Sequence, residues 1–257
     1  MLVGAGDIAL CGSPGAEATA RLLDGIHGTV FTAGDNVYPS GSYADYRDCY
    51  APTWGRHRDR TYPTPGNHDY ESAAANPYFA YFDQNAGLPG QGYYTYSVGS
   101  WRVIGLNSEI PVRTGTAQYQ WLRNELTMST PACTIAVWHR PLFSSGPNRD
   151  NPDMRDIYRL LYDFNAEMVI NGHDHLYERF APQDPDGRLD IARGIRQFTV
   201  GTGGVPLYEP AQRKSNSEVI QKTWGVLKLS LSDGRYEWDF IPVPGGGSRD
   251  TGSGACH

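Results

Sequence analysis

The sequence predicts an α/β fold. Two observations carry that expectation. Short apolar runs of strand length alternate with amphipathic stretches of helix length. Each apolar run then ends in a polar loop rich in Gly, Asp, Asn and His, and in open α/β sheets ligands bind at that edge. The elements follow in order. "LVGAGD" reads as a strand ending at a turn. "SPGAEATARLLDG" reads as a helix, with Ser13 as cap, Pro14 in the first turn and Gly25 at the end. "TVFTAGD" is a second strand with the same Gly-Asp ending. "YYTYSVGS" and "WRVIGLNS" form a strand pair joined by a short turn. "TAQYQWLRNELTMS" is amphipathic, with Tyr119, Leu122 and Leu126 on one face and Pro131 beyond its end. "CTIAVWH" is a strand. "NPDMRDIYRLLYDF" is a helix capped by Asn151, with Met154, Ile157, Leu161 and Phe164 turned inward. "EMVINGH", "QFTVG", "WGVLKLSLSD" and "YEWDFIPV" are strands. No internal repeat or long linker interrupts the pattern. The expectation is one domain over residues 1–243 and a Gly/Ser-rich C-terminal tail over 244–257.

The chain has 257 residues, 39% hydrophobic and 12% aromatic, which supports a sizeable core. Its net charge of -6 argues against a nonspecific nucleic-acid binder, so no nucleic-acid partner is expected. No apolar run approaches the roughly 20 residues that span a bilayer, so no membrane partner is expected. The opening "MLVGAGD" reads straight into a first strand with no signal peptide visible, and the expectation is a mature form with a replacement Met1. There are four cysteines, and no two are close enough for a metal knuckle. The expected arrangement is two disulfides, Cys11–Cys49 and Cys133–Cys256, the second stapling the tail, in a secreted or extracellular protein. Four reduced thiols in a cytosolic protein are the alternative.

Potential metal ligands gather just after strands. They are Asp7 in "AGDIA", Asp35 and Tyr38 in "AGDNVY", Asn67 and His68 in "PGNHDY", His139 in "VWHRP", and His173 and His175 in "NGHDH". Of the 7 histidines, four fall in this set. Singly, each has an ordinary role: turn or cap for the aspartates and Asn67, half-buried aromatic for Tyr38, core residue for His139. His173 and His175 stand two apart, so an extended segment would turn both imidazoles the same way, an arrangement suited to a metal.

Together the motifs resemble the calcineurin-like metallophosphoesterase superfamily and, within it, purple acid phosphatases of a compact bacterial type. "GDIA", "GDNVY", "GNHD", "VWHRP" and "GHDHLYER" occur in the family's order across residues 6–179. Where many superfamily members carry a histidine two residues after the first aspartate, this chain has Ala9. Tyr38 supplies the replacement, as in the purple subgroup. The resemblance implies a two-sheet αββα sandwich with the metal site at the carboxyl ends of its strands. It implies two metal ions, one held by Asp7, Asp35, Tyr38 and His175, the other by Asp35, Asn67, His139 and His173, with Asp35 as bridge.

Chemistry gives those residue types a reason. Two cations about 3.5–4 Å apart can clamp a phosphoryl group, and a bridging carboxylate holds them that close. Two carboxylates and a phenolate against one trivalent and one divalent ion leave the site cationic by about two charges, which suits an anion. A free phenol has a pKa near 10, so ionising Tyr38 takes a strongly polarising ion. The first site therefore suits Fe(III), as the resemblance also implies, and the second suits Zn, Mn or Fe(II). The expected activity is hydrolysis of small phosphate monoesters by a metal-bound hydroxide, with no covalent enzyme intermediate. A phosphodiesterase or nucleotidase on the same centre is one alternative, and a non-catalytic metal-binding module is another.

His68 is expected to contact the phosphate or protonate the leaving alkoxide, with Asp69 either orienting it or serving a turn. Purple acid phosphatases often carry further histidines after "HxP". Here "RPLFSSGPNRD" puts Asn148 and Arg149 in that region, which puts an acidic pH optimum in doubt. Arg140 or Arg149 is a candidate to grip a phosphate oxygen, a surface salt bridge being the ordinary alternative. Glu178 and Arg179 are expected to pair with each other, and "GTGG" at 201–204 to turn close to the metals.

Overall fold

The structure is a computed structural model, and it describes residues 1–128 and 133–257. Two sheets face each other. The first runs in the order Asp250–Ala255, Arg235–Pro242, Gly225–Ser232, Leu2–Ala5, Thr29–Ala33, Thr61–Thr64. The second runs Ser217–Gln221, Tyr177–Phe180, Arg196–Val200, Met168–Asn171, Cys133–Val137, Trp101–Gly105, Tyr94–Val98. Leu2–Ala5, Thr29–Ala33 and Thr61–Thr64 are parallel neighbours in the first sheet. The run from Trp101–Gly105 to Arg196–Val200 is parallel in the second. The remaining pairings of these two sheets are antiparallel, and a small third sheet pairs Ala9–Leu10 with Val37–Tyr38 in parallel.

The parallel strands are apolar on both sides because both of their faces are covered. Between the sheets lies a core that includes Leu2, Phe31, Ile135, Ile170, Phe198 and Leu227. Alternate residues of the same strands, Val3 and Val30, face outward onto Ala16, Ala20 and Leu23 of the helix Gly15–Asp24. On the far side, Ala136 and Val169 meet Leu122 and Leu126 of the helix Ala117–Met128 and Ile157 and Leu161 of the helix Arg155–Asp163. The layers are helix, sheet, sheet, helix, the αββα sandwich expected. No helix among the described residues is long and apolar enough to cross a membrane.

Several local expectations change. Ser13 caps loosely: its Oγ accepts from Gly15 N at 3.3 Å and donates to Gly204 O at 2.7 Å, so it ties the helix start to a distant loop. Asn151 caps as expected, accepting from Asp153 N. Phe164 is not inward. It lies past the end of Arg155–Asp163, where the chain turns away, and is 38% exposed. Pro131 lies outside the described residues.

The largest difference is at the C-terminus. The stretch read as a tail carries the edge strand Asp250–Ala255, paired in register with Arg235–Pro242. Gly and Ser made it look unstructured. Yet Trp238 pairs with Gly252, where an added Cβ would lie 2.1 Å from the indole ring. Glycine is therefore what lets a large ring lie across this strand. The edge is held covalently too. Both expected disulfides are present, and Cys133–Cys256 joins the second sheet to the end of the first across a sequence separation of 123. Closing a loop of that length is worth about 4–5 kcal/mol in the chain-entropy picture. Cys256→Ser should therefore lower the melting temperature by roughly 10 °C, since each kcal/mol shifts a domain of this size by about 2–4 °C. Differential scanning calorimetry without reductant checks this, and an unchanged transition would mean that the strand pairing alone holds the edge.

Candidate metal centre

Five parallel strands, three from the first sheet and two from the second, end on the same side of the sandwich. Leu2–Ala5 leads to Asp7, Thr29–Ala33 to Asp35, Thr61–Thr64 to Asn67, Cys133–Val137 to His139 and Met168–Asn171 to His173. The sheets are tied to each other at that end. Gly6 N donates to Val200 O at 2.9 Å, and His139 Nδ1 lies 2.9 Å from Ala33 O. The close approach explains the glycine of "AGD": Gly34 has φ +80, and a Cβ there would lie 2.5 Å from the His139 ring. Asp7, Asp35 and His173 themselves have φ of 58, 48 and 70, a left-handed conformation uncommon for non-glycine residues though less so for Asp and His.

The donors form two groups. In the first, Tyr38 Oη lies 2.9 Å from Asp7 Oδ1, 2.8 Å from Asp35 Oδ2 and 3.2 Å from His175 Nε2. His175 Nε2 is 3.3 Å from Asp7 Oδ1. In the second, His139 Nε2 lies 3.2 Å from Asp35 Oδ2, 3.1 Å from Asn67 Oδ1 and 3.2 Å from His173 Nδ1. Asp35 Oδ2 belongs to both groups. The other oxygen, Oδ1, accepts from His68 N at 2.8 Å, which fixes the carboxylate's rotation. All seven residues predicted as ligands thus meet at one place.

Their chemistry fits cations. Asp7 and Asp35 are 0% and 1% exposed, and two buried carboxylates this close repel each other unless something positive compensates. A phenol has one proton, so Tyr38 can donate to only one of the two oxygens within 2.9 Å of it. The other contact has no hydrogen. Burial and the charges of Asp7 and Asp35 push the Tyr38 pKa well above its ordinary value. Only a cation that outweighs those carboxylates can ionise it. His139 responds to the same field: burial works against its charged form, but Asp35 outweighs burial and raises its pKa to about 10. Burial, with His139 beside it, takes His173 down to about 2, so that imidazole is held neutral, the ligating form. Backbone carbonyls orient the rings. His139 Nδ1 faces Ala33 O and His175 Nδ1 faces Pro206 O at 2.8 Å, leaving each Nε2 turned to the centre.

The histidine pair has a different geometry from the one alternation implies. The segment between Asn171 and Tyr177 is not extended, and His173 turns left-handed. The two rings consequently do not share a face. His173 offers Nδ1 to the second group and His175 offers Nε2 to the first.

His68 reaches the centre with Nε2, 4.0 Å from Asp35 Oδ2, while its Nδ1 lies 2.5 Å from Pro39 O and 3.3 Å from Glu71 Oε1. Asp69 does not orient it. Its carboxylate is buried and accepts from Tyr46 Oη at 2.6 Å, Gly66 N at 2.9 Å and Asn36 Nδ2 at 3.0 Å. Neighbours in a helical turn point different ways, so Asp69 braces the Asp35 and Asn67 loops instead. Burial and the Asp35 charge raise its pKa to about 6. Arg140 stands behind His173. Its Nε donates to both oxygens of Glu109 at 3.0 Å, and its Nη1 is 3.1 Å from His173 Nε2. Arg149 is exposed.

Glu178 and Arg179 do not pair, because adjacent strand residues face opposite sides. Glu178 Oε2 accepts from Ser145 N at 3.0 Å, whereas Arg179 binds Asp250 at 2.7 Å. The "GTGG" turn does lie close: Gly203 N donates to Gly6 O, next to Asp7, at 2.8 Å. Tyr208, which sequence reasoning missed, stacks on His175 with centroids 3.9 Å apart. It sits over 30 residues downstream in a loop with no periodic pattern, and nothing in the local sequence marks it.

Residues 2–177 match the family model of the calcineurin-like phosphoesterases. Purple acid phosphatase 21 of Arabidopsis thaliana is 29% identical over 91% of this chain and 59% of its own length. Probable purple acid phosphatase 20 of the same plant is 29% identical over 62% of this chain and 43% of its own. The chain thus spans about half the length of these curated relatives. A purple acid phosphatase from yellow lupin seeds superposes with a TM-score of 0.82 at 20% identity, over 98% of this chain and 53% of that one. GAP50, described as the anchor in the inner membrane complex of Plasmodium, superposes at 0.78 with 15% identity over 100% and 88%. The chain belongs to the calcineurin-like phosphoesterase family, and within it is purple acid phosphatase-like.

Proposed function

We propose that this protein hydrolyses small phosphate monoesters at a two-cation centre held by Asp7, Asp35, Tyr38, Asn67, His139, His173 and His175. One observation carries the reading: a single oxygen, Asp35 Oδ2, lies 2.8 Å from Tyr38 Oη and 3.2 Å from His139 Nε2, and so faces both donor groups. Three oxygens and one imidazole in the first group suit Fe(III). An amide, a shared carboxylate and two imidazoles in the second suit Zn, Mn or Fe(II). When bound, the pair supplies charge neutralisation for the phosphoryl oxygens and an acidified water.

The chain's own residues supply the rest. His68 spends Nδ1 on the Pro39 carbonyl and keeps Nε2 in the site, where it can hold a proton for the departing oxygen. Arg140, held by Glu109, supports His173 from behind rather than reaching for substrate. Asp174 and Glu178 fix the loop beside the centre through Ser144 and Ser145. The two disulfides fit a secreted protein.

Three outcomes test the reading. Asp35→Asn removes charge from both groups, so turnover of nitrophenyl phosphate should fall by at least about 10³ and elemental analysis should find fewer than two metals per chain. A variant with both metals and full rate would end the bridge assignment. Tyr38→Phe should abolish any visible absorption band of the iron-loaded protein while leaving the far-ultraviolet dichroism intact. His68→Ala should slow alkyl phosphates more than nitrophenyl phosphate, whose leaving group needs no proton, with a difference of roughly 10²-fold. Running the bis-nitrophenyl diester beside the monoester separates a phosphodiesterase, and metal-replete protein inert toward every ester would be a binding module.

A further inference from the structure

Beside the metal centre runs a groove of about 690 Å³ between the loop 141–155 and residues 211–214. We infer that this groove is an anion subsite, in which Arg149, Arg155 and Lys214 take a second negatively charged group, in the first place a phosphate, carried on the alcohol part of the substrate. The inference rests on the phosphomonoesterase reading and names its substrate class.

Charge is the first argument. The protein carries a net charge of -6, yet this groove is lined by three cations and one acid, Asp150. That acid is already engaged: Oδ1 accepts from Ser144 N at 2.9 Å and Oδ2 from Lys214 Nζ at 2.8 Å. Arg155 leans on Asp186 at 3.0 Å and on the Pro185 carbonyl, outside the lining. Arg149 has no side-chain partner among the described residues and is exposed. A lone guanidinium at the mouth of a cationic groove is suited to bidentate capture of phosphate.

Placement is the second argument. One wall of the groove is bonded directly to the metal loop. Asn148 Nδ2 donates to His173 O at 2.7 Å and Asn148 N to Asp174 Oδ1 at 3.0 Å. The Ser144 hydroxyl donates to Asp174, and Ser145 N to Glu178. Two buried carboxylates from the histidine motif thus hold the segment that presents Arg149. Arg149 itself has φ 65, an uncommon conformation for a long side chain, and its N donates back to Gly146 O at 3.3 Å. The opposite wall is sewn on by Ala211 N and Lys214 N, which donate to Ser145 O and Oγ at 2.8 and 2.9 Å. That wall continues upstream to Tyr208, stacked on His175. One wall of the groove is thus bonded to the loop that carries His173, and the other is continuous with the residue stacked on His175. The proposal places one phosphate on the centre and the second, on the alcohol part, in this groove among Arg149, Arg155 and Lys214.

The test compares hexane-1,6-diol bisphosphate with hexyl phosphate at low ionic strength, together with 6-(phosphooxy)hexanoic acid, the phosphate ester of 6-hydroxyhexanoic acid, which ends in a carboxylate. The subsite predicts that kcat/KM for the bisphosphate exceeds that for hexyl phosphate by about tenfold, chiefly through KM, and that added salt erodes the excess. The ratio should fall several-fold in Arg149→Gln and again in Lys214→Gln. Equal kcat/KM for the two substrates, or a ratio that the variants leave intact, overturns the proposal. An excess for the carboxylate equal to that for the phosphate widens the class to any terminal anion. Binding of hexane-1,6-bisphosphonate against hexylphosphonate, read by isothermal titration calorimetry, gives the same ratio without turnover. If no ester is hydrolysed, the activity proposal falls, while the phosphonate ratio still decides the subsite.

Discussion

Everything at this centre depends on how one carboxylate is turned. Asp35 sits in a left-handed turn at the end of a first-sheet strand, with φ 48 and 1% exposure. The backbone N–H of His68 takes one of its oxygens, and the other faces both donor groups. A rotation that released Oδ1 would part Oδ2 from at least one group. The buried charge is costly without a counter-charge. Burial works against ionised Asp35, but the His139 imidazolium outweighs it and holds the acid well below its ordinary range. That proton on His139 occupies the position a cation needs, so protonation and metal binding compete for the same field.

The fold serves this arrangement by bringing two sheets together end to end as well as face to face. Asp7, Asp35 and Asn67 come from one sheet, His139 and His173 from the other. Neither sheet alone carries a complete donor group. Their register must hold to within a fraction of an ångström, because donor atoms only about 3 Å apart tolerate little sliding. The apolar layer between the sheets cannot set register so finely, since apolar packing is not directional. Directional bonds between the sheets include two at the site itself, Gly6 N to Val200 O and His139 Nδ1 to Ala33 O, and others away from it, Trp101 Nε1 to Ser232 O and Arg179 Nε to Asp250. At the far edge Cys133–Cys256 makes the same join covalently.

What was legible in the sequence was what is written locally. Strands such as Thr29–Ala33 and helices such as Arg155–Asp163 follow from apolar spacing, and the seven donors follow from motifs ten residues long or less. The layered architecture and the pairing of donors into groups came through resemblance to a family, not through spacing. Other features hid for physical reasons. Asp250–Ala255 lacks every strand-forming residue type except Thr251, because its role is to leave room for Trp238 and Tyr236 on the neighbouring strand. Strand propensity reports side-chain packing, and this strand has its packing supplied from across the pair. Asp69 beside His68, and Glu178 beside Arg179, looked like partners because they are adjacent in the chain. Backbone direction separates such neighbours, and each carboxylate serves a segment far away, Asp69 the Asn36 turn and Glu178 the Ser145 loop.

The stretch "NGHDHLYE" shows why the local signal succeeded for a reason other than alternation. Had the segment been extended, both imidazoles would have faced one cation, and Asp174 between them would have pointed away into the sheet's other side. Instead the left-handed turn at His173 sends each ring to a different donor group and drops Asp174 into the protein, at 0% exposure. There it accepts from Ser144 and Asn148, and so joins the loop that carries the two histidines to the segment that presents Arg149. An extended stretch could satisfy one donor group or the other. A turned one reaches both and, through the residue between, fixes the surface next to them. A buried acid between two donor histidines therefore sets the position of the neighbouring loop, and any change that frees Asp174 from that loop acts on the groove before it acts on the donor groups.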